Sequence, residues 1–209
     1  MSKIKEFFKK FKALAIVYPT VIMFLICLVI TAALSGTNAI TNKRIEKLNA
    51  KKEKAAQSRL ISADEYKSET IEYEGVRYEY SQAIKDGETL GYIFKIDEKG
   101  YGGTITAMVA VNTDGSIKAL EMIDVSNETP GLGQNTAEKG FTDQFKDKSG
   151  ELTAVKNGTA TGDTQIDAVA SATISSRAAV KAVNKATNLA REIIKETDTT
   201  ADSASADKE

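Results

Sequence analysis

Asp167 to Ser176, reading DAVASATISS, is the stretch whose residue types and spacing could do chemistry. Thr173, Ser175 and Ser176 set three hydroxyls where a periodic apolar pattern begins, with Ile174, Val180, Val183, Thr187, Ala190 and Ile194 recurring at helical spacing. That pattern predicts a helix start. The first turn of a helix leaves backbone N–H groups without intrahelical partners and carries the positive end of the macrodipole, so a phosphate meets donors and a favourable field there. A phosphorylated ligand suits this chemistry. Plain N-capping by Ser or Thr, worth about 1 kcal/mol, is the simpler alternative.

Two glycine-bearing segments lie upstream. Glu128-Thr129-Pro130-Gly131-Leu132-Gly133 sets two glycines around one leucine after a proline, a stiff turn able to lay backbone N–H groups and one apolar side chain against a flat ligand. An ordinary Pro-Gly connection is the alternative reading. Gly100-Tyr101-Gly102-Gly103 reads as a tight, closely packed loop before a strand.

Composition narrows the chemistry. Among 209 residues there is no histidine and one cysteine, Cys27, which excludes a His-based triad, His-ligated haem and cysteine-rich metal sites. A redox role therefore needs an organic cofactor; no catalytic residue and no metal site is assigned. A net charge of -1, with no basic patch interleaved with aromatics, gives no sign of nucleic acid.

The remaining elements must position these segments. Residues 1–12 form a basic amphipathic leader suited to a membrane surface, and residues 13–34 carry no charge and are long enough for a transmembrane helix. The five lysines directly before the span put the N-terminus in the cytoplasm and the bulk of the chain outside. Residues 35–63 read as a polar, Lys-rich helical stalk. The folded domain is expected over 64–195. Ile71, Tyr73, Val76, Tyr78 and Tyr80 mark a strand pair or a strand bulged at Gly75, and Asp86-Gly87 marks a turn. Strands follow at 89–97, 104–112 and 116–123, the last two joined by Asp114-Gly115. Asn135 and Glu138 form a capping box for a helix through Phe141 and Phe145 that ends at Gly150. A short strand at 152–155 and a turn at Asn157-Gly158 lead into the Asp167 segment. Residues 196–209 are acidic and small, and are expected to be disordered. The fold class is α+β: a mostly antiparallel sheet with packed helices, preceded by a transmembrane helix and a stalk.

In this order behind a single N-terminal span, GYGG (100–103), ETPGLG (128–133) and SATISS (171–176) resemble the FMN-binding G subunit of the Rnf electron transport complex. The related C subunit of the sodium-pumping NADH:quinone reductase carries the same FMN-binding domain and is the alternative; the compact length is closer to the Rnf protein. The resemblance implies FMN joined covalently through its phosphate to the hydroxyl of Thr173 by a separate flavin transferase. Glu128, Thr129, Gly131 and Leu132 match the loop that lies by the flavin, and Ser171 and Ala172 belong to the attachment motif. Ser175 and Ser176 would be further donors to the phosphate. Other membrane subunits of the complex are the implied partners, electrons pass between ferredoxin and NAD, and Na⁺ or H⁺ is translocated; the chain alone would not turn over substrate. Two positions depart from the family pattern of Ser or Thr, then Gly, Ala, Thr. Ala170 lacks the first hydroxyl, and Ser171 stands where the family has a conformationally free glycine. Asp167 stands where the family often has an acid, and is read as capping a turn. A flavin-free, membrane-tethered binding module, or an FMN domain serving as a sensor or as the anchor of a soluble reductase, would share these features.

Overall fold

The computed structural model describes the backbone of residues 2–206 and the side chains of residues 18–37, 41, 48 and 50–197. The chain forms two units, residues 1–50 and 51–209. Helix α1, Ser2–Leu60, contributes to both. In the first unit, Tyr18–Thr37 has a mean hydropathy of 2.3 and is long and apolar enough to cross a membrane. The side chains of the basic leader, and of residues 13–17 at the start of the expected span, lie outside the described residues.

The second unit is built on a five-stranded antiparallel sheet in sequence order: β1 (Glu65–Tyr73), β2 (Val76–Lys85), β3 (Glu88–Lys99), β4 (Thr104–Asn112) and β5 (Ile117–Asp124). Short turns dictate that order. Glu74-Gly75 and Asp86-Gly87 have φ values of 53° and 75°, and 52° and 84°, the doubly left-handed pair that matches the twist of a two-residue hairpin. Gly75 is therefore a hairpin turn between two strands, not a bulge within one. At the β4–β5 turn the Asp114 carboxylate accepts the Ser116 N–H at 2.8 Å and its hydroxyl at 2.6 Å.

Both faces of the central strands are covered, which is why β4 reads ITAMVAV rather than as a clean alternation. On one face Tyr92, Phe94, Ile105 and Val109 pack against α3 (Thr173–Ala206). On the other, Ile93, Met108 and Ala110 are covered by Ala56, Leu60 and Ile61. The last turns of the expected stalk thus contribute to the core of this unit.

The capping box expected at Asn135 and Glu138 does not form. Residues Gly133–Ala137 make a 3₁₀ turn, Glu138 is extended at φ -78°, ψ 147°, and no side chain caps the four-residue helix α2 (Lys139–Thr142). Asn135 instead donates its amide to the Gly131 carbonyl at 3.0 Å. A second 3₁₀ turn, Asp143–Phe145, follows, so the expected helix is a string of short turns that still buries Phe141 and Phe145. The strand β6 (Thr153–Val155) pairs in parallel with β7 (Gln165–Asp167), an element too short to show periodicity. At the C-terminus the bounds of α3 are Thr173–Ala206. Residues 207–209 lie outside the described residues.

One pH dependence follows from β1. Glu69 accepts hydrogen bonds from Lys67 and from the Tyr80 hydroxyl, the latter at 2.9 Å, and these hold its carboxyl below the usual 4.5. Unfolding releases the group to its ordinary, higher affinity for protons, so its stabilising contribution is full above that ordinary value and is lost as pH falls below it and through the lowered value of the folded state. Urea unfolding of the detergent-solubilised chain should show stability declining on acidification below the ordinary carboxylate range, and Glu69→Gln should flatten that decline. An identical pH profile in the variant would remove Glu69 from the account.

Candidate functional site

The start of α3 is fixed by its own hydroxyls. The Ser176 hydroxyl donates to the Ala172 carbonyl at 3.0 Å and accepts the Val169 N–H at 2.9 Å, while the Ala172 N–H donates to the Val169 carbonyl at 3.0 Å. This folds residues 169–172 into a turn that delivers Thr173 as the first helical residue. Upstream, the Asp167 carboxylate accepts the N–H groups of Thr159 and Ala160 at 2.8 and 2.9 Å, capping the turn after Asn157-Gly158. Gln144 bonds both the N–H and the carbonyl of Asp167. The segment is thus tied down on each side of Thr173.

The four hydroxyls of the motif divide between surface and interior. Ser171 and Thr173 are exposed, whereas Ser175 and Ser176 are buried. The Ser175 hydroxyl donates to Glu128 Oε2 at 2.5 Å, and that of Ser176 is committed to the turn. Their protons serve the protein interior, which leaves the hydroxyls of Ser171 and Thr173, of which Thr173 alone belongs to α3, and the backbone N–H groups of the first turn to meet a ligand.

A cavity of about 560 Å3 opens against this helix end. From the expected residues it brings together Glu128, Thr129, Leu132, Ser171, Ala172, Thr173 and Ser175. Gly131 and Ser176 do not line it. Gly131 sits at φ 74° directly after Pro130, in a turn closed by the Leu132 N–H donating to the Thr129 carbonyl at 3.1 Å, and so shapes the loop from behind. The cavity also takes in Tyr101, Gly133 and Ile174. Ile174, counted in the sequence as the first residue of the helix's apolar stripe, is 52% exposed, because in the first turn that position looks into the cavity and not onto the sheet.

Tyr101 is the residue that sequence reasoning missed, since GYGG read as packing. The packing is real: a Cβ on Gly102 would collide with the Asn127 carbonyl, and one on Gly103 would stand 2.7 Å from Asn127 Cβ. The loop must be glycine-rich to lie against residues 127 and 128, and that contact carries Tyr101, 70% exposed, to the cavity. Neither glycine spacing nor periodicity signals such an approach between distant segments.

Ser171 has φ 60°, a left-handed conformation that costs an L-residue about 1–2 kcal/mol and glycine almost nothing. The departure from the family pattern thus carries a conformational penalty at the position two residues before Thr173. Ser171→Gly should raise stability by about 1 kcal/mol, read as a higher denaturation midpoint of the solubilised chain. A lower midpoint would show that the serine makes a bond that outweighs the strain.

Residues 100–188 match the family described as FMN-binding domain. The G subunit of the proton-translocating ferredoxin:NAD(+) oxidoreductase complex of Clostridium ljungdahlii is 42% identical over 84 residues, which cover 40% of this chain and 45% of that protein. The match thus spans just under half the length of that relative. The G subunit of the Na(+)-translocating ferredoxin:NAD(+) oxidoreductase complex of Acetobacterium woodii is 30% identical over 173 residues, covering 72% of this chain and 80% of that one. In fold, the chain is similar to the crystal structure of Shewanella oneidensis NqrC, with a TM-score of 0.52 at 21% identity, covering 66% of this chain and 73% of that one. With a glycine-lined cavity at a helix start inside an FMN-binding domain, and with relatives of this kind over most of its length, the chain belongs to the family of G subunits of Rnf-type ion-translocating oxidoreductase complexes.

Proposed function

We propose that this chain is the flavin-carrying subunit of a membrane-bound, ion-translocating electron transport complex, with FMN held covalently through a phosphoester to the Thr173 hydroxyl. The observation that carries the reading is that Thr173, the first residue of α3, is exposed on the wall of the cavity, while the Ser175 and Ser176 hydroxyls of the same helix turn are buried and bonded within the protein. The residues present fit the group. The cavity volume falls within the roughly 300–1,000 Å3 usual for cofactor-sized ligands. The helix start suits a phosphodiester, which keeps one negative charge, and Leu132 and Tyr101 offer apolar and aromatic surface to a flat ring.

Bound FMN supplies an isoalloxazine ring that accepts and releases electrons. The chain's residues hold and tune it. Thr173 Oγ1 would supply the ester oxygen and the first-turn N–H groups of α3 would hold the phosphate, while Thr129 and Leu132 line the same cavity. Maturation requires a separate flavin transferase. By kinship with its relatives the chain works beside other membrane subunits in moving electrons between ferredoxin and NAD while Na⁺ or H⁺ is translocated. The apolar helix anchors it, with the N-terminus in the cytoplasm and the FMN domain outside.

In-gel fluorescence of the denatured chain, produced with its flavin transferase, tests the attachment. Wild type should give a fluorescent band and Thr173→Ala none, because denaturation strips a non-covalent flavin and spares an ester. A fluorescent Thr173→Ala band would move the attachment elsewhere. A dark wild-type band, with the transferase active on a control substrate, would favour a flavin-free tethered module or a loosely bound cofactor.

A further inference from the structure

Glu128 lies on the cavity wall yet is only 2% exposed, and both of its carboxylate oxygens are turned into the protein. Oε1 accepts the Gly102 N–H at 3.1 Å and Oε2 accepts the Ser175 hydroxyl at 2.5 Å. These partners come from segments 73 positions apart in the chain. Space for the carboxylate is made by glycines on each side. A Cβ on Gly133 would stand 2.9 Å from Glu128 Cβ and 2.7 Å from Ser175 Oγ, and one on Gly100 would stand 3.1 Å from Glu128 Cδ. The Gly100–Gly103 turn is closed by the Gly100 N–H donating to the Gly103 carbonyl at 2.8 Å, so its Tyr101 goes where the turn goes.

We infer that Glu128 is a positioning residue: it ties the Tyr101 turn to the first turn of α3, and sets the place of Tyr101 relative to Thr173. Its role toward a flavin rests on the proposed function above. A neutral side chain would serve as mere glue, since burying a carboxylate carries a desolvation cost that two donors only partly offset. What the carboxylate adds is a fixed negative charge on the wall of a cavity proposed to take up electrons. Such a charge disfavours further negative charge and lowers the reduction potential of a group bound there.

Two substitutions separate geometry from charge. In Glu128→Gln the amide oxygen still accepts the Gly102 N–H, and the NH2 donates to Ser175 Oγ, whose lone pairs accept it. Glu128→Ala breaks both ties, and Ser175→Ala breaks one if the first variant fails to fold. In the flavin-free full-length chain in detergent, amide hydrogen exchange at Gly102 should speed about tenfold or more in Glu128→Ala and rise in Ser175→Ala, while Glu128→Gln stays near wild type. Unchanged exchange in the alanine variants would overturn the tie. In the flavin-loaded chain, Glu128→Gln should shift the flavin midpoint potential to more positive values at unchanged Gly102 exchange. An unshifted potential would reduce Glu128 to structural glue. The exchange readout needs no flavin, so a dark wild-type gel band together with faster exchange in Glu128→Ala would count against the flavin alone and leave the tie standing.

Discussion

A helix can lie close on a sheet only where the side chains between them are small, and α3 meets that constraint with Ala178, Ala179, Ala182, Ala186 and Ala190, all buried. Close approach lets the larger residues of the sheet, Phe94 and Tyr92 among them, fill the gaps between the alanines. The helix is also prevented from rolling. Lys185 pairs with Glu98 at 2.9 Å and lies 5.7 Å from the centre of the Tyr78 ring, and the bond to Glu98 raises the lysine above its usual pKa. A rigidly seated helix has a rigidly placed first residue, and everything said of Thr173 depends on that.

Helical geometry then sorts the three hydroxyls that α3 carries at its start. Successive residues turn by about 100°, so Thr173 faces outward while Ser175 and Ser176 point into the protein. Ser176 makes the helix start where it does, Ser175 joins the helix to Glu128, and Thr173 is left for chemistry. Capping and ligand attachment are therefore not rival readings of the segment. Different hydroxyls do each.

Much of this was legible in the residues. Asp86-Gly87 and Asp114-Gly115 located the hairpins, and the strand at 104–112 was bounded correctly, because turn chemistry is local. The start of α3 was legible for the same reason. The capping box at Asn135 failed because the 3₁₀ turn takes the backbone donors it needs: the Asn135 N–H goes to the Leu132 carbonyl and the Glu138 N–H to the Asn135 carbonyl. The parallel pairing of β6 with β7, the approach of Tyr101 and the burial of Ser175 are contacts between distant segments, which no window of sequence contains. The left-handed Ser171 was visible only as a departure from a family's glycine.

The second face of the sheet carries a consequence for where the folded unit begins. Strand structure starts at Glu65, yet Ile93, Met108 and Ala110 are covered by Ala56, Leu60 and Ile61. A chain cut at Asp64 would lay that apolar surface open to water, whereas one cut ahead of Lys51 would keep it roofed. The border between anchor and domain is drawn by what the sheet needs covered, and it lies inside a helix whose polar composition gives no sign of it.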